Sequence, residues 1–442
     1  MFRIDPGEIS APRARVNLVR GVLSGSLDRE TIVQRSFCEM TERCIQCRSC
    51  TLRCPAQVDV AELVTELKGA YVSVNGLSVH EWFACRIDLG CAMASRLSPL
   101  RGFADHRWFR WLIEKLFGMS RRRRVPGIVA QPFLRRAARR GLSLPIPPNT
   151  PEETVPDGAT SDQATTTNAV SNGTDTLKVA YFVDIFANWN APELAEALVA
   201  ILEHHGIHVY VPPDQVASGG AAIRFGAFDL ARRYATRNLN AMTDAARRDW
   251  TILTTEPSAT RTLQWEYATL FNADSSDEDD VRLVARATQD AELFLWNLHL
   301  AGRLQNEMRP IPATIGYYAP CRLAAQEIGL PGLSLLRLIP ELQVQEIEAG
   351  CCGMAGGRGL QAKYVHESLR IGRNLAAHLR GADYAAVATE CGACRIQIEQ
   401  MSHRATFHPL QLLAAAWGLM PIPDPLMVHP ASPESAKPDR HD

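Results

Sequence analysis

No run of 18 apolar residues occurs in this 442-residue chain, so no segment of it is expected to cross a bilayer as a helix. Neither sign of charge is in excess. Lys and Arg number 47 against 48 Asp and Glu, a net charge of −1, which argues against wholesale nucleic-acid binding. The opening MFRIDPGEISAPRAR lacks the apolar core of a secretory leader, and the expected compartment is the cytoplasm. Cysteine is missing from the whole central stretch, residues 92–320. Of the twelve cysteines, seven lie between Cys38 and Cys91 and five between Cys321 and Cys394. Cytoplasmic thiols stay reduced, so two such groups point to metal ligation or redox chemistry at two separate sites.

What is present reads as several domains, since the length allows two or three with real cores. Residues 1–100 read as short helices around the first cysteine group, with DVAELVTELKGAYV (59–72) as an amphipathic helix. RGFADHRWFRWLIEKLFGMSRRRR follows as a helix carrying Trp108, Trp111, Leu112 and Leu116, then four arginines, with Arg135, Arg136, Arg139 and Arg140 beyond. An aromatic helix beside a basic run suits an anionic membrane surface or an acidic partner. The plainer reading is an inter-domain helix with a solvated tail. Residues 142–176 are rich in Pro, Thr, Ser, Asn and Asp without apolar period, as in a disordered linker.

Beyond the linker, strand and helix patterns alternate twice. LKVAYFVDIF (177–186), IHVYVP and DWTILTTEP read as strands, with APELAEALVAILEHHG and AFDLARRYATRNLNAM as helices between them. ATIGYYAP (313–320), VQEIEA and DYAAVATE repeat the strand order, with helices LSLLRLIP and YVHESLRIGRNLAAHLRG interposed and RIQIEQMS and HPLQLLAAAWG closing the unit. Two successive units of this kind predict parallel sheets covered by helices and an internal duplication.

CIQCRSCTLRCP sets Cys44, Cys47, Cys50 and Cys54 at C-x2-C-x2-C-x3-C-P. Such close spacing wraps backbone around a cube of iron and sulfide and predicts a [4Fe–4S] cubane cluster. Zinc sites more often use two separated C-x2-C pairs. In two-cluster ferredoxins the fourth cysteine ligates the other cluster, and no second motif exists here. The fourth ligand is therefore Cys54 folding back, or one of Cys38, Cys85 and Cys91; Cys38 is the best substitute, and Cys85 and Cys91 read as small buried hydrophobes.

The second group sits after strands: Cys321 in YYAPCRLA, Cys351 and Cys352 in CCGMAGGRG, Cys391 and Cys394 in ECGACRIQ. Residues past the carboxyl ends of parallel strands gather at one edge, so five thiols from three remote segments are expected to meet. Five exceed what zinc or an ordinary cubane requires, and suggest a more open metal–sulfur assembly. The glycines would let backbone lie against it and donate amides to sulfur. A redox disulfide at CGAC is the alternative, and it leaves three cysteines unexplained. His408 is expected near the pocket or as a helix cap.

The pattern C-x29-CC-G-x37-C-x2-C, with APCRL, CCGMAG, SLRIGRNL, TECGACRIQIE and HPLQLL in order, resembles the CCG domain of heterodisulfide reductase and its relatives. The iron–sulfur subunits of anaerobic glycerol-3-phosphate dehydrogenase and glycolate oxidase, and the C-terminal part of FAD-linked oxidases, are similar. SAPRARVNLVRGVLSG and CIQCRSCTLRCPAQVD resemble the segment around the second ferredoxin motif of that family, whose first motif is expected to be missing here. The resemblance implies a noncubane [4Fe–4S] cluster on Cys321, Cys351, Cys352, Cys391 and Cys394, and no flavin on this chain. It implies electron transfer from an FAD-containing dehydrogenase partner to a quinone or other carrier, with no bond-making on the substrate by this chain.

In the first unit Ile185, Ala217, Ser218 and Ala259 stand where the family has cysteines, so that unit is expected to be a scaffold. One intact site makes heterodisulfide chemistry the lesser alternative. The expected organisation is a helical ferredoxin-like domain (1–100), a basic helical connector (101–141), the linker (142–176), a cysteine-free CCG unit (177–300), an intact CCG unit (301–420) and a tail (421–442).

Overall fold

Parallel pairing builds two four-stranded sheets in the computed structural model, which describes residues 5–96, 106–124, 127–144, 177–271, 277–305 and 307–427. The first sheet holds β1 (Lys178–Phe182), β2 (His208–Tyr210), β3 (Thr251–Thr254) and β4 (Thr288–Asp290) in the order β2-β1-β3-β4. The second holds β5 (Ala313–Tyr317), β6 (Leu342–Glu346), β7 (Ala386–Ala388) and β8 (Thr406–Phe407) in the order β6-β5-β7-β8. The two sheets thus share one topology, the duplication that the alternating patterns predicted. β1 is buried along its length except at Lys178, as expected of an apolar strand covered on both faces. Its register sets Val179 beside Val209 and Thr251; in the second sheet Ile315 lies beside Val344 and Ala386.

The helices cover these sheets and join the units. Leu198 in the helix Pro192–His204 and Leu412 in the helix Pro409–Ala416 share one apolar core with Leu253, Ile315 and Leu335, so one core spans both units beside the cluster that each keeps for itself. The helix Val60–Asn75 is capped by Asp59, whose carboxylate accepts from the amides of Ala61 and Glu62. It docks on the first unit backbone to backbone. A Cβ at Gly69 would overlap the Phe228 ring, and one at Gly226 (φ +76°) would lie 2.5 Å from the Lys68 carbonyl carbon.

Several expectations need correcting. The strand expected over 177–186 ends at Phe182, because the Asp184 side chain accepts from the amides of Phe186 and Ala187 and caps a short helix, Ile185–Trp189. The single helix expected over 364–381 is two, Val365–Ile371 and Arg373–Gly381, parted at Gly372. There a Cβ would overlap the Cys352 carbonyl oxygen, so the missing side chain admits the paired-cysteine loop. β4 and β8, three and two residues long, carry no apolar run of their own and take their form from neighbouring strands.

The arginine run is a solvated tail at Arg121, Arg122 and Arg124 but not at Arg123, which is 1% exposed. Its Nε donates to the Gly359 carbonyl (2.7 Å), Nη1 to Gln397 (2.5 Å) and Gln400 (3.2 Å), and Nη2 to the Ser368 hydroxyl (2.6 Å). The helix Phe133–Arg139 is likewise docked, with Phe133 buried and Arg136 paired to Glu196 (2.7 Å). Leu142 accepts from the Val211 amide, so the chain is still attached at the first residue of the expected linker. Residues 145–176 of that linker and 428–442 of the expected tail lie outside the described residues.

Gly226→Ala is expected to cost about 1–3 kcal/mol for the left-handed backbone alone, before the clash with Lys68. Chemical denaturation should show the loss, and limited proteolysis should cut the helix Val60–Asn75 first.

Candidate metal centre

Three adjacent strands deliver the second cysteine group. Cys321 opens a short helix four residues past β5, Cys351 and Cys352 follow β6, and Cys391 is the N-cap of the helix Gly392–Ser402 after β7, with Cys394 in its first turn. The thiols meet at the carboxyl edge of the sheet. Cys321 is hydrogen-bonded to Cys351, Cys351 to Cys352, and Cys394 to both Cys352 and Cys391; the Cys352 and Cys394 sulfurs are 3.3 Å apart. All twelve cysteines are free thiols. Hydrogen bonds from Cys351 and Cys394 pull Cys352 down to about 6, so the group's first negative charge resides there, whereas its bond to Cys352 and then to Cys391, with burial, pushes Cys394 up.

The glycines of CCGMAGGRG have a geometric reason. Gly353 has φ +94°, and a Cβ there would overlap the Ser368 carbonyl oxygen. Its amide donates to Cys351 Sγ at 3.3 Å, and the Cys352 sulfur also receives a backbone hydrogen bond, from Met354. The loop therefore turns amides toward sulfur, as a site for an anionic metal–thiolate group requires.

The first group is wound by strain. Gln46 (φ 52°) and Arg48 (φ 57°) flank Cys47 in left-handed conformations that cost non-glycine residues about 1–3 kcal/mol each. Two reversals in three residues gather Cys44, Cys47 and Cys50: burial raises the Cys50 pKa, and nearby Cys44 and Cys47 raise it further. Gln46 is held by Thr65 (2.9 Å) and Arg48 by Asp59. Cys54 is half-exposed at the following turn, its amide donating to the Thr51 carbonyl. Burial pushes Cys38 up to about 11, and Cys85 and Cys91 up to about 12. Cys85 packs in an apolar cluster with Phe182 and Leu263.

The two groups come near each other, since Arg48 beside Cys47 and Arg322 beside Cys321 both approach Glu266. Burial raises Cys47, and the neighbouring Cys321 and Cys44 thiols add to the rise. Arginines line the ground between. Arg322, next to Cys321, pairs with Glu266 at 2.8 Å, and Arg48 and Arg261 each approach that carboxylate to 4.0 Å. Burial alone would raise Glu266, but Arg322, Arg48 and Arg224 more than offset it. A cleft of about 220 Å³ lies among Gln46, Arg48, Arg224, Glu266 and Arg322.

Buried carboxyls beside Cys391 were not singled out from sequence. A cavity of about 250 Å³ is bounded by Asp184, Thr255, Glu256, Glu390, Cys391 and His408. Glu256 accepts from the Gly392 amide (2.9 Å), and Glu390 from the Tyr317 hydroxyl (2.5 Å). The signal was the repeated Thr-Glu after β3 and β7, Thr255-Glu256 and Thr389-Glu390. His408 is both things expected of it, lining this cavity and capping the helix Pro409–Ala416. Its Nε2 lies 2.9 Å from the Thr255 carbonyl, its Nδ1 3.2 Å from fully buried Glu292, and burial takes its pKa down to about 3. In the first unit Ile185 opens a helix as Cys321 does, Ala259 lies in the helix Pro257–Arg261, and the Ala217-Ser218 loop is closed by Asn238 (3.1 Å to the Ala217 carbonyl) and Tyr267 (2.9 Å to the Ser218 carbonyl).

Residues 315–399 match the cysteine-rich CCG domain. The chain is 29% identical over 241 residues to an anaerobic glycerol-3-phosphate dehydrogenase subunit of Escherichia coli K12, covering 54% of this chain and 59% of that protein. It is 27% identical over 226 residues to a fumarate reductase (CoM/CoB) subunit of Methanothermobacter marburgensis, covering 50% and 42%. A probable glycolate oxidase iron–sulfur subunit of Bacillus subtilis is 21% identical over 400 residues, 89% of this chain and 83% of that protein. The first two matches thus span only about half the length of those relatives.

Burial raises Glu292, and the neighbouring Asp290 and Glu390 carboxyls raise it further. Such a group takes up a proton on folding, so it stabilises below its unfolded pKa near 4.5 and that contribution is lost as pH rises. Glu292→Gln should therefore gain on the native protein by up to about 1.4 kcal/mol per pH unit above 4.5. Denaturation midpoints of the two proteins should converge at pH 4; a gap unchanged between pH 4 and pH 8 would count against the buried acid.

Proposed function

We propose that this chain is an iron–sulfur electron-transfer subunit. It takes electrons from a flavin-dependent dehydrogenase of glycolate, lactate or glycerol-3-phosphate type and passes them to a quinone or other carrier. The observation that carries this reading is the meeting of five thiols from three strand ends, with Cys47 of the other group beside Cys321. The names of the similar proteins, iron–sulfur and dehydrogenase subunits among them, support it. The buried amides and arginines around the thiols suit an anionic group better than neutral sulfhydryls.

In this reading residues 1–100 form a ferredoxin-like domain holding a [4Fe–4S] cubane on Cys44, Cys47, Cys50 and Cys54, with Cys38 the next choice for the fourth ligand. Cys85 and Cys91 pack in the interior. Cys321, Cys351, Cys352, Cys391 and Cys394 hold a noncubane [4Fe–4S] cluster in the unit 301–420, while the unit 177–300 holds none. Such clusters store single electrons reversibly, with potentials set by charge, hydrogen bonding and burial within roughly −700 to +450 mV. The protein's part is to keep water away, turn the Gly353 and Met354 amides to sulfur, and hold the two thiol groups near each other. The flavin belongs to the partner.

Purified without oxygen, the chain should carry about eight irons, and Cys351→Ser with Cys352→Ser should leave about four and remove one of two paramagnetic signals. Loss of neither signal would overturn the assignment. Cleavage of a disulfide substrate with a reduced dye as donor would favour the heterodisulfide alternative.

The compartment we propose is the cytoplasm, with peripheral contact on the membrane's inner face. No helix among the described residues is long and apolar enough to cross a membrane. The helix Arg107–Phe117 exposes Trp108 (59%) and Trp111 (48%). The chain should sediment with anionic but not neutral liposomes, and Trp108→Ala with Trp111→Ala should abolish this.

A further inference from the structure

Two arginines from outside the cysteine-bearing unit reach the backbone of its paired-cysteine loop. Arg123, from the run before the linker, donates to the Gly359 carbonyl at 2.7 Å. Arg224, from the cysteine-free unit, donates to the Ala355 carbonyl at 2.7 Å, and a Cβ at Gly356 would lie 2.6 Å from its Nη1. The segment that follows Cys351 and Cys352 is thus held at two of its carbonyls by fixed positive charge.

Neither arginine has an acid of its own. Every hydrogen-bond partner of the Arg123 guanidinium is neutral: a carbonyl, two amide oxygens and a hydroxyl. Among the described residues no carboxylate lies within 4.0 Å of the nitrogens of either. Glu266, whose field reaches Arg224, already has Arg322 at 2.8 Å and Arg48 and Arg261 at 4.0 Å. A buried cation without a counter-charge costs several kcal/mol, so a native fold that keeps Arg123 fully buried and Arg224 partly so is arranged around an anion. Glu266 apart, the ionisable groups whose fields reach them are thiols: Cys352 for Arg123, and Cys321 and Cys391 for Arg224.

We propose that Arg123 and Arg224 are the fixed counter-charges of the metal–thiolate group in the cysteine-bearing unit and that they hold its reduction potential up. The inference rests on the cluster assignment above. Reduction adds one negative charge to the group, and two nearby guanidinium ions stabilise the reduced state more than the oxidised one. The cysteine-free unit then has an electrical task as well as a scaffolding one. The two residues are positioning residues, since they act through the loop and the field.

The test is a potentiometric titration of the full-length, anaerobically purified protein, followed by electron paramagnetic resonance, on Arg123→Gln, Arg224→Gln and the corresponding Lys variants. Gln keeps a donor for the carbonyl and removes the charge; Lys keeps the charge. At the potential that half-reduces the wild-type centre, the reduced-to-oxidised ratio in each Gln variant should fall about tenfold, equivalent to about 59 mV for one electron. The Lys variants should titrate with the wild type. Arg224 is only partly buried and tolerates replacement more readily, so it decides the matter if Arg123→Gln does not assemble. Gln variants that keep their iron and titrate at the wild-type potential would overturn the inference and leave the cluster assignment standing. Absence of the second signal from the wild-type protein would overturn both.

Discussion

Parallel pairing of β5 with β6 and β7 is the constraint on which the rest depends. It points three strand ends the same way, so that residues far apart in sequence must emerge along one edge. Cys321, Cys351 with Cys352, and Cys391 with Cys394 are placed there before any metal chemistry is considered. Gly353 and Gly372 complete the arrangement by letting backbone pass where a side chain would collide. An antiparallel sheet of the same sequence would send the middle segment to the opposite end.

Charge is the second organising principle. Five thiols and two or more buried arginines occupy one low-dielectric region, each too costly alone and tolerable beside the other. The carboxyls Glu256, Glu390 and Glu292 have pKa values raised by burial and so tend toward neutrality. Arg395 lines the same cavity as Glu256, Glu390 and Cys391, so guanidinium charge and carboxyls inclined to neutrality both border the cysteines.

Much of this was legible in the sequence. β1 and β5 announce themselves because a strand buried on both faces must be a continuous apolar run, and Cys321 could be assigned to a strand end for that reason. β4 and β8 could not be read, because neither lies in an apolar run and their form is lent by neighbours. Gly372 reads as an ordinary helical glycine until the Cys352 carbonyl is seen against it. Arg123 was hidden among four identical letters: Arg121 and Arg122 are exposed, and only tertiary packing distinguishes the third. The buried carboxyls were likewise recoverable only as a repeated dipeptide, since burial is not a property of Thr-Glu itself.

The route of the chain between the halves also matters. Ser120 donates to the Leu360 carbonyl, Arg123 is locked among Gly359, Ser368 and Gln397, Lys363 pairs with Glu42, and Val129 donates to the Trp189 carbonyl. All of these join residues before position 144 to residues after position 177, without help from the peptide that runs between them. The two halves are thus held to each other by contacts of their own.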